Sequence, residues 1–216
     1  MTLTEWAETY SPAIFFDENE PFRPVRIGVT LFERPGPSPS MEGRRIEFDP
    51  DEVKLAIEYA IYFDYDIGHL YELEHFWAYV GHDGSVVDAE ASFHGRYFKA
   101  LFKDKRNLEG THVRIYSQPG KHAFAPSIDF LELIPNLHSA SYEEAGNAGL
   151  LVPAMFEGRF AADAETDRKV NAYLQSVRFR PSLKFRRYSI DSELYATWPE
   201  LEEEIPQRIG EIVRSL

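Results

Sequence analysis

The pattern of apolar and polar positions reads as strands through most of the first two thirds of the chain. The clearest case is 53–66. Odd positions carry Val53, Leu55, Ile57, Tyr59, Ile61, Phe63 and Tyr65, while every charge (Lys54, Glu58, Asp64 and Asp66) falls on an even position. Alternation of this length specifies an extended strand, because a helix would spread the same residues around all of its faces. Segments 72–80 and 85–94 continue the pattern, and Gly81-His82-Asp83-Gly84 between them suits a hairpin loop. In 85–94 one face holds Val87, Ala89, Ala91 and Phe93, the other Asp88, Glu90, Ser92 and His94. Residues 53–94 thus predict a three-strand meander. Further strands are expected near 25–33, 44–48, 111–117 and 123–134, separated by Pro- and Gly-rich turns.

Helical spacing comes late. Residues 162–177 put Val170, Tyr173, Leu174 and Val177 on one face, and Trp198-Pro199-Glu200 opens a second helix with an early Pro and acids near its start. The expected fold is mainly β: an antiparallel β-sandwich core with peripheral C-terminal helices. A single domain of 216 residues can bury such a core, with 10–135 forming the sandwich and 136–216 a helical and irregular covering segment.

Charge narrows the partners. The chain holds 36 acids against 23 bases, for a net −13. Residues 1–95 contain 19 acids and 6 bases, and 96–216 contain 17 of each, so the whole excess lies in the half that carries the meander. An acidic half repels nucleic-acid phosphates and anionic membranes and favours a small cation. The base-rich run Arg168–Arg187 has no interleaved aromatics on one face and reads as a solvated surface. With no cysteine, disulfides, thiolate metal sites and a Cys nucleophile are excluded. The first residues carry acids where a secretory leader needs bases, and no stretch approaches the roughly 18 apolar residues of a membrane span. The expected location is cytoplasmic, without a transmembrane segment.

The chemistry concentrates in Asp64-Tyr-Asp66-Ile-Gly68-His69-Leu-Tyr71-Glu72-Leu-Glu74-His75, four carboxylates and two imidazoles within twelve residues. On a strand Glu72 and Glu74 share a face with Cβ atoms about 7 Å apart, whereas on a helix they point about 200° apart. Two carboxylates on one half-buried face require a proton or a cation between them. His69, after the Gly68 turn, can fold over that face, and Asp64 and Asp66 end the polar face of the preceding strand. His75 has the opposite parity and reads as a structural histidine. An oxygen-rich site with one or two imidazoles suits Mg²⁺, Ca²⁺ or Mn²⁺, with Zn²⁺ or Fe²⁺ as alternatives. The same residues also read as a solvated acidic face.

Gly68-His69-Leu-Tyr-Glu72-Leu-Glu74-His75 is similar to the G-H-x-H-D-W-E signature of necrosis- and ethylene-inducing peptide-like proteins and to the G-D-W-E-H-V stretch of the related vacuolar-protein-sorting-associated family. His112 to Phe124 resembles the strand and turn of those families that ends in a G-S-H-A-type tetrad, and Tyr10 to Pro24 resembles the opening of the vacuolar-sorting relatives. The resemblance implies a β-sandwich holding a divalent cation through His69, Glu72 and Glu74, with His122 nearby, in a cytosolic-looking, cysteine-free relative. In the toxin-like members that site helps bind a sugar-bearing headgroup. Here Glu72 stands for the family Asp, Leu73 for Trp and Tyr71 for the middle His, and Ile61 stands where the toxin-like pattern has an Asp.

The reading that follows is a divalent-metal-binding β-sandwich protein that holds a small polar, hydroxyl-rich ligand through the metal. Tyr62, Tyr71 and Trp77 would offer stacking surface and His94 a position lining the site. Two alternatives stay open: a metal-dependent hydrolase of a phosphoester or ester, with His122 or His69 moving the proton, and a structural metal. The residues do not decide whether the chain is an enzyme, nor its oligomeric state. P-loop, Rossmann, G-x-S-x-G and H-E-x-x-H patterns are absent.

Overall fold

The computed structural model describes residues 1–216. In chain order its elements are α1 (Leu3–Tyr10), β1 (Ala13–Asp17), β2 (Arg26–Phe32), β3 (Val53–Tyr65), β4 (His69–Gly81), β5 (Val86–Phe93), β6 (Arg96–Lys99), β7 (Leu108–Glu109), β8 (His112–Ser117), β9 (Phe124–Ala125), β10 (Gly149–Leu150), α2 (Ala164–Ser176), β11 (Phe185–Arg187), β12 (Tyr195–Thr197) and α3 (Trp198–Ser215). Seven strands form one sheet in the order β12-β2-β3-β4-β5-β6, with β10 against the start of β4. Five form the other, β9-β8-β1-β11, with β7 on β8. The two sheets pack as a sandwich. Its interior is filled from the odd face of β3 (Leu55, Ile57, Tyr59, Ile61, Phe63) meeting Ile14 and Phe16 of β1.

The meander 53–94 forms as its alternation requires, with Glu58 opposite Trp77 and Phe63 opposite Glu72 across β3 and β4. Most pairings are antiparallel, but β1–β8, β2–β12 and β4–β10 are parallel. The 136–216 segment therefore does more than cover the sandwich: β11 and β12 supply an edge strand to each sheet.

The even face of β3 is not solvated. Over its C-terminal half α3 lies on it, burying Trp198, Leu201, Ile205 and Ile209 against Ala60 and Tyr62. A helix can approach this closely because the sheet is small there: a Cβ at Gly28 would sit 3.1 Å from both Leu201 and Trp198. Thr197 and Glu200 close a capping box at the start of α3. The same device, Thr2 with Glu5, starts α1, a helix the strand pattern does not announce. The strand expected over 123–134 stops at Ala125. Pro126 lacks an N–H to continue the ladder, and the Ser127 side chain accepts from Phe130 N–H to cap a helical turn at Ile128–Leu131. No helix is long and apolar enough to cross a membrane.

The turn between β3 and β4 is clamped from two sides. Ile67 N–H donates to Gly120 O at 2.7 Å on one side. On the other, Gly146 N–H donates to Ile67 O at 2.9 Å, Ala148 N–H to Gly68 O at 3.0 Å and Leu151 N–H to Leu70 O at 3.1 Å.

Candidate metal centre

A strand alone would put His69 and Glu72 on opposite faces. Tyr71 changes this, because its φ of 81° breaks the alternation, so that Leu70 and Tyr71 both turn into the helix-covered cluster. A left-handed tyrosine costs on the order of 1–2 kcal/mol. The consequence is that His69 and Glu72 meet, with Nε2 3.8 Å from Glu72 Oε2.

Asp66 joins them. It lies one residue beyond β3, where strand parity no longer holds; its carboxylate accepts from Gly68 N–H and sits 3.7 Å from His69 Nε2. One donor atom from each of Asp66, His69 and Glu72 falls within 4.8 Å of the other two. His69 Nδ1 lies 2.8 Å from the Tyr71 carbonyl, which can only accept, so the ring hydrogen is on Nδ1 and the Nε2 lone pair faces the carboxylates. Three lone-pair donors thus converge at spacings too long for hydrogen bonds and suited to a shared cation. The donor set fits a divalent ion. Lys121 supplies a partial substitute, with Nζ 2.5 Å from Asp66 Oδ2.

The other sequence candidates lie outside the three-residue cluster. Glu74 lines the same cavity of about 370 Å³, but its carboxylate accepts from the Ser92 hydroxyl and stands outside the three-residue cluster. Asp64 keeps the strand parity, and so faces α3, where Arg208 Nε and Nη2 grip it at 3.0 and 2.8 Å. Asp64→Asn is therefore expected to cost about 1 kcal/mol in denaturant stability and to leave metal affinity unchanged. His122 is fully buried with its ring stacked 4.1 Å above Phe63, and Nε2 lies 3.3 Å from Glu20 Oε1. It does not line the cavity. Tyr62 and Trp77 are fully buried and offer no stacking surface; Trp77 Nε1–H donates to Glu58. Tyr71 and His94 do line the cavity, and His94 Nε2 is 2.8 Å from Gln118 Oε1. His75, read from parity as structural, has its Nε2 3.0 Å from Ser40 Oγ and also lines the cavity. Lys121 and Ser40 also line the cavity; they come from two separate loops, and only folding brings them to the hairpin, whereas Ser92 shares the polar face of 85–94 with His94. The base-rich run is tied to acids, with Arg180 near Glu143, Arg186 near Glu18 and Arg187 near Glu109.

The site's electrostatics follow from this crowding. Burial, reinforced by the charges of Glu74 and Asp66, pushes Glu72 well above the usual carboxylate range. Burial likewise raises Glu74 to about 7, with the Ser92 hydroxyl opposing. Burial would also raise Asp66, but the charge His69 carries when protonated, Lys121 and the Gly68 amide together hold it below its ordinary value. Burial lowers His69, against the opposing charge of Asp66. A carboxyl raised in the folded state stabilises folding while it is protonated. Its contribution is complete below the unfolded value and disappears as pH rises through the folded one. The metal-free protein is therefore expected to lose roughly 3 kcal/mol from Glu74 between about pH 4.5 and 8. Denaturation in chelator across that range checks this, and Glu74→Gln should make the profile shallower, leaving the contribution of Glu72.

No family model matches the chain, and no curated protein does. Among solved structures it is similar to NLPPya in complex with glucosamine, at 18% identity over 57% of this chain and 66% of that one, with a TM-score of 0.38. The complex of NLPPya with mannosamine gives the same values. Necrosis and Ethylene inducing Protein 2, from the causal agent of cocoa's witches' broom disease, matches at 20% identity over 59% and 68%, with a TM-score of 0.38. The match spans just under two thirds of NLPPya. These neighbours are of the necrosis- and ethylene-inducing group, whose signature the 68–75 stretch resembles.

Proposed function

We propose that this chain is a divalent-cation-binding β-sandwich protein, a distant cysteine-free relative of the necrosis- and ethylene-inducing group, that holds a small hydroxyl-rich ligand at the cation. The observation that carries the reading is the convergence of Asp66, His69 and Glu72, with the Nε2 lone pair of a neutral histidine aimed at two carboxylates beside a cavity. Two or three oxygens to one imidazole favour Mg²⁺, Ca²⁺ or Mn²⁺ over Zn²⁺. When bound, the cation would neutralise the carboxylates and polarise an oxygen of the ligand. The chain's residues orient it: the Tyr71 carbonyl fixes the His69 tautomer, and Leu73 N–H donates to Glu72 Oε1 at 2.9 Å. Sugar amines are the natural probes, since NLPPya has been crystallised with two of them.

The test is binding of glucosamine and glucose with and without chelator, alongside turnover of generic phosphoesters and esters. Saturable, chelator-sensitive sugar binding without turnover is expected. Chelator-sensitive hydrolysis would replace this reading with a hydrolase. Because burial and neighbouring carboxylates raise Glu72, and it must lose its proton before it coordinates, Mn²⁺ affinity is expected to climb between pH 5.5 and 8. Calorimetric titration at the two pH values checks it.

A further inference from the structure

Beside the metal cluster lies a second set of polar groups that coordination does not use. Glu58 is fully buried on the even face of β3. Its Oε2 accepts from Trp77 Nε1–H at 2.7 Å, and its Oε1 accepts from Ser40 Oγ–H at 2.7 Å. Ser40 Oγ in turn lies 3.0 Å from His75 Nε2. A hydroxyl has one hydrogen, and here it goes to the carboxylate, so Ser40 can only accept from the ring. His75 therefore carries its hydrogen on Nε2, and Nδ1 is left with a bare lone pair. The ring is held flat against Trp77, 5.4 Å between centroids and 7° between planes. Nδ1 has no hydrogen-bond partner in the protein and is not fully enclosed, and both His75 and Ser40 line the cavity that holds Asp66, His69 and Glu72.

We infer that His75 is a ligand-binding residue whose Nδ1 accepts a hydrogen bond from a donor group, a hydroxyl or an ammonium, on the small molecule in the cavity, with Glu58 setting that polarity through Ser40. The inference deepens the proposed function and rests on it for the ligand class. An oxygen held by a cation has committed a lone pair and presents hydrogen outward, so an acceptor on the wall suits such a ligand. Glu58 is a positioning residue, since it acts only through Ser40.

The relay makes a prediction that packing alone would not. In Glu58→Gln the amide oxygen must stay with Trp77 N–H, and the amide NH₂ then donates to Ser40. The Ser40 hydrogen turns to His75 Nε2, and the ring hydrogen moves to Nδ1. ¹⁵N NMR of the imidazoles is expected to show opposite tautomers in the wild type, Nδ1–H at His69 and Nε2–H at His75, with His75 alone inverted by Glu58→Gln. Adding glucosamine to the Mn²⁺-free, Mg²⁺-loaded protein should shift His75 Nδ1. Glu58→Gln should weaken glucosamine about tenfold while leaving Mg²⁺ affinity unchanged.

An Nδ1–H tautomer at wild-type His75 overturns the inference. So does a His75 Nδ1 that stays unmoved by saturating glucosamine, glucose and glycerol. Failure of the metal reading would look different, because Mg²⁺ would then leave the His69 Nε2 signal where it was. If Glu58→Gln does not fold, Ser40→Ala provides the second test: loss of the Nε2 acceptor should leave His75 as a tautomer mixture and weaken glucosamine in the same direction.

Discussion

Asp66→Asn is expected to lower Mn²⁺ affinity by on the order of 100-fold or more and to remove the rise in melting temperature that the metal confers. Asp66 is the most buried member of the cluster and already accepts from the Gly68 amide, so the substitution keeps shape and removes charge. Glu72→Gln should act in the same direction, since its Oε2 faces His69 Nε2. The two variants differ without metal. Glu72 is a raised, repelled carboxyl, and its neutralisation should stabilise the metal-free protein at pH 8. Asp66 is held ionised beside Lys121, and its neutralisation leaves that ammonium without a counter-charge, which destabilises. Calorimetry for affinity, paired with denaturation in chelator, separates the two effects.

The second large effect is structural. Gly146→Ala should cost about 3 kcal/mol or more in denaturant unfolding. A Cβ there would lie 2.3 Å from the Asn171 carbonyl oxygen, a backbone atom of α2 that cannot swing aside, and the residue has φ +62°. Its amide also donates to Ile67 O in the turn between β3 and β4. The variant should consequently bind metal more weakly as well as fold less stably, because Asp66 and His69 flank the displaced Ile67. A stable Gly146→Ala protein with normal metal affinity would show that the clamp does not position the site.

Much of this was legible in the chain. The alternation in 53–66, 72–80 and 85–94 located the meander, because one face must enter the sandwich and a one-residue slip would expose it. The concentration of acids and histidines at 64–75 located the hairpin. Strand parity then failed at two places, both at the turn. It grouped Asp64 with Asp66, although Asp66 is already out of the strand and Asp64 answers to Arg208 of α3, 144 residues away. It paired Glu72 with Glu74 as the metal face, whereas the left-handed Tyr71 brings Glu72 to His69 and leaves Glu74 with Ser92. A non-glycine positive φ carries no sequence signal. Lys121 and Ser40 were hidden for a different reason: each comes from a loop whose place against the hairpin is set by tertiary contacts alone.

Calorimetric titration of the metal-free protein with Mn²⁺ at pH 8 shows whether Asp66, His69 and Glu72 form a cation site. One ion per chain is expected, lost in Asp66→Asn and Glu72→Gln and retained in Asp64→Asn. No heat at millimolar Mn²⁺, Mg²⁺ or Ca²⁺, or binding indifferent to Asp66 and Glu72, would contradict it.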